Sequence, residues 1–282
     1  MNNTRKPISA VALLVALLLL SSHRGQASAD EEVEDETEFS YIEGSCNGPE
    51  RWGYLNENWT MCRDGKMQSP IDLWDARPNP FLDGLYMNYR IANATIENRG
   101  HDIMIEWGNG TAGSINIMRK TYFLRQLHWH SPAEHSIKGW RPALELHMVH
   151  VSADGEIAVI GILYEYGRSD DFLTTMHEHI EDITGTTLKK KDIGKVDPRW
   201  VHLNSYEPYY RYDGSLTTPP CSEGVLWTVL REVRTVGRYQ VDWLRNAVND
   251  DARMNARPIQ PRNGRPVYKS VRSSYGAMSA SA

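Results

Sequence analysis

Two runs of alternating polar and apolar residues limit the possible folds of this chain more than any other feature. In QLHWH, Gln126, His128 and His130 occupy every second position, with leucine and tryptophan between them. Side chains two positions apart on a β-strand share a face, so these three would point the same way. A second alternating run, LELHMV, places Glu145 and His147 on one face. Two neighbouring strands could therefore bring three imidazoles to one point.

Three protein nitrogens and an open fourth position are the ligand set of a catalytic zinc. A ligating histidine also needs an acceptor for its second ring nitrogen, and Gln126 and Glu145 each lie two residues from a histidine on the same predicted face. A histidine in a strand is usually structural or exposed, and His-x-His pairs arise by chance. The nearby acceptors favour a zinc site over that interpretation. His177 and His179 lie in a predicted helix, where residues two apart point to different faces, which excludes them as a metal pair.

The first 29 residues have the pattern of a cleaved secretory signal. Arg5 and Lys6 precede an apolar run from Ala10 to Leu20, and small residues lead to a predicted cleavage after Ala29. This apolar run is too short to span a bilayer, which takes about 20 residues. We therefore expect the chain to enter the secretory pathway and to be soluble after cleavage.

Charge and composition exclude some classes of partner. The chain has a formal net charge of −5, which becomes −8 without the three basic residues of the signal. No basic cluster is evident, which argues against nucleic acid as a partner. No second long apolar run follows the signal, so we expect no membrane contact after cleavage. We divide the chain into a signal (1–29), an acidic disordered segment (30–40), one folded domain (41–271) and a flexible tail (272–282).

The pattern of the remaining residues predicts a mainly β domain of the α+β class, built around a large sheet with few helices. Short alternating runs between residues 86 and 117 predict antiparallel strands, and the continuous apolar run 157–166 predicts a buried central strand. Residues 170–183 and 241–246 predict helices, and residues 184–208 have the composition of a loop.

Cysteines and sequons fit a secreted protein. The chain has three cysteines, Cys46, Cys62 and Cys221, in a compartment where disulfides persist. Three Asn-x-Thr sequons outside the signal are candidate glycosylation sites, although many sequons are never used. They begin at Asn58, Asn93 and Asn109.

Seven motifs in order resemble the α-class carbonic anhydrases, and the secreted plant type (nectarin-like and dioscorin-like) in particular. They are WGY, QSPID, NRGHDI, QLHWHSPAEH, ELHMVH, GSLTTPP and NARPIQP, between about Trp52 and Val271. The resemblance implies a large twisted, mostly antiparallel central sheet with a metal at the bottom of a conical cleft. It also implies the activity of a carbonate dehydratase, in which hydroxide on zinc attacks CO₂ and gives bicarbonate and a proton.

The resemblance carries over to individual residues around one catalytic Zn²⁺, the implied cofactor. The family's three ligands and the acceptors behind them match His128, His130 and His147, then Gln126, Glu145 and the backbone of Asn255.

Three further residues match the family's proton-handling groups. Thr217 matches the hydroxyl that orients the hydroxide, and Glu134 matches the carboxylate that accepts the proton of that hydroxyl. His101 matches the proton shuttle, at a predicted turn from which it could reach the mouth of the cleft. Arg99 and Met104 stand where polar cleft residues are common, so the efficiency of proton transfer is left open.

The resemblance also implies a substrate pocket and a disulfide. Cys62 and Cys221 match a pair joined in secreted relatives, which leaves Cys46 as a free thiol or as an intermolecular bridge in a dimer. The residues that match the pocket wall are Val149, Val159, Leu216, Thr218 and Trp227, and Tyr54 matches a tyrosine of the cleft's water network.

Three other functions compete with CO₂ hydration. A storage or binding protein on this scaffold is disfavoured because the histidine set is complete. A thiol redox activity would need a reactive thiol, for which only Cys46 is spare, and the chain has no CxxC. Peptide hydrolysis by zinc is typical of HExxH, which is also absent. The expected location is extracellular, in the plant apoplast, with the chloroplast reached through the secretory route as the alternative.

Overall fold

The fold was analysed in a computed structural model that describes residues 39–82 and 84–271. The predicted signal, most of the acidic segment and the predicted tail 272–282 lie outside the described residues. Phe39 and Ser40, which the sequence analysis assigned to the acidic segment, are both buried. Phe39 packs edge-on against Tyr41 and Trp52. The packed domain therefore already includes Phe39, two residues before the expected boundary.

Thirteen strands in the described part of the chain form one sheet. The strands are β1 Arg77–Asn79, β2 Tyr86–Tyr89, β3 Ala92–Asn98, β4 Ile103–Trp107, β5 Gly113–Ile117, β6 Lys120–His130, β7 Leu144–Ser152, β8 Ile157–Tyr166, β9 Lys189–Val196, β10 Tyr209–Ser215, β11 Glu223–Leu230, β12 Arg234–Val236 and β13 Tyr268–Ser270. The α-helices are α1 Trp52–Leu55, α2 Met61–Asp64, α3 Asp171–Thr175, α4 His177–Ile183 and α5 Arg238–Ala247, with short 3₁₀ turns at Glu57–Trp59, Pro198–Val201 and Asp250–Ala252.

The central sheet is mixed but mostly antiparallel, as the resemblance implied. Its main order is β1-β13-β10-β11-β8-β7-β6-β4-β3-β9, with β12 beside β8 and β5 between β2 and β6. Only the pairings β1–β13, β8–β11 and β8–β12 are parallel among the described strands. The mainly β fold class is confirmed.

The sheet separates two apolar cores. On one face of β6, Leu127 and Trp129 join the larger core, where Trp129 stacks on Phe172 of α3. On the other face, Val149 of β7 and Trp227 of β11 belong to a second core. Because β6 and β7 are buried on both faces near their centres, polar side chains there must find partners inside the protein.

Two predicted elements differ from the structure. The helix expected over residues 170–183 is two helices, because the Met176 N–H bonds back to Leu173 O at 3.2 Å and closes a tighter turn between α3 and α4. The loop expected over residues 184–208 contains β9, which pairs with β3. A strand was not expected there because the sequence KKKDIGKV has no apolar face. Lysines are common on exposed edge strands, which do not need such a face.

Candidate metal centre

The register of β6 and β7 brings three histidines together. His147 lies directly opposite His128, and His130 follows two residues later on the same face of β6. The three ring centroids are 4.6 to 5.1 Å apart, and all three side chains are buried. One nitrogen from each ring lies within 4.8 Å of the others, so the trio could hold a metal ion.

Two acceptors that cannot donate determine the tautomers of His130 and His147. His130 Nδ1 is 2.7 Å from the backbone oxygen of Asn255. His147 Nε2 is 3.0 Å from Oε1 of Glu145. A carbonyl and a carboxylate only accept, so these ring nitrogens must carry the hydrogen. The lone pairs therefore lie on His130 Nε2 and His147 Nδ1.

The third histidine follows the same rule through an amide. His128 Nδ1 is 2.8 Å from Oε1 of Gln126, so it donates, and its Nε2 carries the lone pair. That Nε2 lies 3.3 Å from His147 Nδ1. His130 Nε2 is buried and has no hydrogen-bond partner. Burial also lowers the pKa of His128 and of His147, which keeps both rings neutral. Three lone pairs that face one another without a proton donor fit a bound cation.

Glu145 is the anchor of this arrangement because it accepts four hydrogen bonds. Its Oε2 accepts from the backbone N–H groups of Glu134 and His135, at 2.9 and 2.8 Å. Its Oε1 accepts from His147 and, at 2.7 Å, from His135 Nδ1. Burial alone would raise the pKa of Glu145, but the two imidazoles outweigh it and hold that pKa well below its usual value. A methyl group on Gly161 would lie 2.8 Å from Oε1, so glycine leaves the carboxylate its space.

His135 is the residue that sequence reasoning missed. It donates through Nδ1 to the carboxylate, so its Nε2 must accept the Tyr212 hydroxyl at 2.6 Å. The Tyr212 oxygen in turn lies 2.9 Å from Ser69 Oγ, which accepts from the Ser215 N–H at 3.0 Å. His135, Glu145 and His147 also lie close enough to hold a metal, but these hydrogen bonds already use their facing atoms. His135 follows β6 on an irregular segment, where no periodicity indicates its partners.

Glu134 and Thr217 are both buried. Oε1 of Glu134 accepts the backbone N–H of Arg257 at 2.9 Å. Oε2 lies 3.7 Å from His130 Nε2 and has no hydrogen-bond partner. The hydrogen bond that the resemblance implies between the Thr217 hydroxyl and Glu134 is not formed among the described residues. The roles assigned to Glu134 and Thr217 therefore stay predictions.

His101 occupies a different environment from the one expected. The predicted turn was to carry it to the mouth of a cleft, but its side chain is buried and neither ring nitrogen has a hydrogen-bond partner. The ring of Phe39 packs against it, with centroids 5.4 Å apart. Burial lowers the pKa of His101 from 6.5 to about 4, Asp102 opposes this, and Arg99 lowers it further. The Arg99 guanidinium is itself paired with the Asp102 carboxylate at 2.5 Å.

The expected pocket residues separate into two groups. The rings of Trp227 and His147 are 4.8 Å apart, which places an apolar wall beside the trio. Tyr54 is 63% exposed with the Arg63 guanidinium 4.5 Å above its ring, so the structure does not bring it to this wall. The buried members of the set are Val149, Val159, Leu216, Thr218 and Trp227. Met104, which is not one of the expected pocket residues, lies opposite His128 on β4.

The disulfide between Cys62 and Cys221 is confirmed and joins positions 159 residues apart. Cys46 is exposed and free. The three sequon asparagines (58, 93 and 109) are exposed, so glycosylation stays a prediction at each. None of the helices in the described part of the chain is long and apolar enough to cross a membrane.

Comparison with known proteins agrees with the fold. The family model for eukaryotic-type carbonic anhydrase matches residues 47–271. The chain is 49% identical over 257 residues to alpha carbonic anhydrase 7 of Arabidopsis thaliana, covering 90% of this chain and 93% of the relative.

Two solved structures show the same architecture. Dioscorin complexed with ascorbate has a TM-score of 0.80 at 44% identity, over 84% of this chain and 100% of the dioscorin chain. The alpha-carbonic anhydrase of Thermovibrio ammonificans, in complex with the inhibitor sulfanilamide, has a TM-score of 0.72 at 34% identity, over 82% of this chain and 98% of the other. On the family match and these similarities, the chain belongs to the eukaryotic-type carbonic anhydrase family.

Proposed function

We propose that this protein binds one Zn²⁺ through His128 Nε2, His130 Nε2 and His147 Nδ1, and that it catalyses the reversible hydration of CO₂. The observation that carries the proposal is the set of three buried lone pairs, each fixed by an acceptor on the opposite ring nitrogen. Zn–N bonds of about 2.0–2.1 Å in a tetrahedron separate two ligand nitrogens by roughly 3.3–3.4 Å. The spacing between His147 Nδ1 and His128 Nε2 is 3.3 Å. The residues present therefore fit the ion.

The bound ion would supply a Lewis acid that lowers the pKa of a coordinated water to about 7, the value for which the carbonic anhydrases are the standard example, from about 15.7 in bulk water. The protein's part is to hold the ligands neutral and correctly turned. Gln126, Glu145 and the Asn255 carbonyl do so by accepting the remaining ring N–H groups.

Glu134 and Thr217 would orient the attacking group. A carboxylate only accepts, and Oε2 of Glu134 is buried without a partner. We infer that the Thr217 hydroxyl turns to donate to this oxygen in the working enzyme. The Thr217 oxygen could then only accept a further proton, which would fix the direction of the nucleophile's lone pair.

CO₂ is apolar, so its pocket needs to be dry more than it needs hydrogen bonds. Val149, Val159 and Trp227 are each at most 3% exposed and belong to one apolar cluster beside His147. We assign the CO₂ pocket to this wall.

Proton export through His101 would require the ring to change its environment. With a pKa of about 4, roughly one ring in a thousand is protonated at pH 7. A shuttle must accept and release protons near neutral pH. We therefore propose that His101 carries protons only after its ring moves away from Phe39.

The test of the function is a paired measurement of zinc content and CO₂ hydration. Wild-type protein should hold one equivalent of zinc and hydrate CO₂. His147→Ala should lose both, while His179→Ala, a histidine on α4 outside the trio, should keep both. Wild-type protein that holds less than about a tenth of an equivalent under zinc-replete conditions would contradict the proposal, because a site of this type binds zinc tightly at pH 7.

A binding or storage role on the same scaffold is the second candidate, since the dioscorin structure with ascorbate is among the most similar. That role predicts a stable protein with no CO₂ hydration even when zinc is bound. For location, we propose the extracellular space or, through the same secretory route, the chloroplast.

A further inference from the structure

Arg211 is a buried arginine that forms no salt bridge with the residues that the structure describes. It lies in β10 and is 6% exposed. Its Nε has no hydrogen-bond partner, and its guanidinium forms no salt bridge with the described residues, although the exposed Asp213 two residues further along β10 acts on it electrostatically. The centroid of the Tyr209 ring lies 5.0 Å from the Arg211 guanidinium carbon. A buried charge is normally paired, so an unpaired guanidinium indicates a missing partner.

The side chain of Arg211 lines a pocket that could supply this partner. The pocket has a volume of about 240 Å³ and lies between the loop before β2, the β5–β6 turn and β10. Arg119, exposed in the β5–β6 turn, is a second cation of the lining, and it too has no ion pair among the described residues. No carboxylate belongs to the described lining. The two arginines of the described lining therefore favour an anion over a cation.

The walls of the pocket favour a ligand that has an apolar part as well as a negative charge. Leu82, Leu85 and Ile117 line its interior. Phe81 and Met118 are 87% and 80% exposed at its edge, which is unusual for large apolar side chains. Pockets for drug-sized ligands usually have volumes of about 300–1,000 Å³, so this one suits a smaller molecule. An inorganic anion would leave the apolar walls without a partner.

An ordered water explains only part of these observations. Thr228 lies directly across from Arg211 in the β10–β11 register, and its Oγ1 is also buried without a partner. A water between the two groups would satisfy both as hydrogen-bonding groups. It would not neutralise the guanidinium or account for the second arginine.

We propose that this pocket binds a small aromatic carboxylate, with its carboxylate on Arg211 and Arg119 and its ring against Leu85 and Ile117. The pocket is separate from the candidate metal centre. Arg211 and Tyr212 are neighbours on β10, so their side chains point to opposite faces of the sheet. Tyr212 points to His135 and the zinc-site network.

The test is calorimetric titration of the full chain with benzoate. Benzyl alcohol, which lacks the charge, and sulfate, which lacks the aromatic ring, are the comparison ligands. Benzoate should bind more tightly than either. Arg119→Ser should weaken benzoate binding roughly tenfold, as expected for one lost charge-assisted hydrogen bond. Arg211→Gln should weaken it further. Arg168→Ser, which changes an exposed arginine after β8, is the matched control and should have no effect.

Three results would overturn the proposal. One is the absence of benzoate binding to wild type at about 10 mM, beyond the range expected for a specific site of this size. Another is equal affinity for benzoate and benzyl alcohol. The third is unchanged benzoate affinity in Arg119→Ser, which would place the ligand elsewhere, including at the metal centre. Arg119 is exposed in a turn, so this variant decides the question even if Arg211→Gln fails to fold.

Discussion

Replacement of Glu145 by glutamine changes one oxygen to an NH₂ group and leaves the size of the side chain unchanged. All four groups around the carboxylate are donors: two backbone N–H groups at Oε2 and two imidazole N–H groups at Oε1. The amide can accept on one side only, so its NH₂ must face one pair of donors. The backbone pair cannot change its protonation, whereas an imidazole can move its proton to the other nitrogen. We therefore expect the NH₂ group to face His135 and His147.

The expected loss of zinc affinity follows from this orientation of the amide. His147 Nε2 would become the acceptor and its proton would move to Nδ1, the atom proposed to bind zinc. Loss of such an outer partner typically costs about 10–100-fold in metal affinity, or roughly 1.4–2.8 kcal/mol. If the amide instead turned the other way, two buried backbone donors would be unpaired at about 1–3 kcal/mol each, and stability would fall by about 2–6 kcal/mol.

Competition for zinc against a chelator, together with urea unfolding, separates the two outcomes. We expect Glu145→Gln to lose zinc affinity about 10–100-fold with a small loss of stability. Glu165→Gln, at the exposed end of β8, is the matched control and should change neither. If Glu145→Gln keeps both its zinc affinity and its stability, the tautomer argument is wrong.

Three further predictions concern other parts of the molecule. Burial lowers the pKa of His150 from 6.5 to about 4. As pH falls from 6.5 to 4 the unfolded chain therefore takes up the proton first, and the free energy of unfolding falls by up to about 3 kcal/mol. His150→Gln should reduce the slope of the free energy of unfolding against pH in this range, and an identical slope in variant and wild type would refute the assignment. Cys221→Ser should lower the free energy of unfolding by about 2–5 kcal/mol, because the disulfide with Cys62 closes a long loop; an unchanged urea midpoint would contradict this. Phe39→Ala should raise the pKa of His101 toward about 6.5 and speed turnover in weak buffer, and an imidazole titration that stays near the wild-type value would exclude Phe39 as the cause of the shift.

The parts of the fold that could be predicted are those where a local period reports burial. Alternation in β6 and β7 placed the three histidines on one face, because side chains two apart must share it. The continuous apolar run of β8 indicated a strand buried on both faces. β9 was missed because an exposed edge strand has no apolar period, and its pairing is decided by β3.

The parts of the site that could not be predicted depend on residues that are far apart in the chain. The partners of His135 include Tyr212, 77 residues away, and no local pattern links them. The burial of His101 depends on Phe39, which the sequence analysis placed in an acidic segment because the preceding residues are strongly charged. No local pattern around Arg211 indicates that its side chain is buried with an unpartnered Nε.

We propose that CO₂ hydration depends on an ion that the histidine trio holds. The most direct measurement is the CO₂ hydration rate of one protein sample before metal removal, after removal, and after addition of zinc. We predict activity in the first state, loss in the second and recovery in the third, with half-maximal recovery at half an equivalent of zinc. Activity that persists after zinc removal, or that fails to return although the protein remains folded and takes up one equivalent of zinc, would contradict this account.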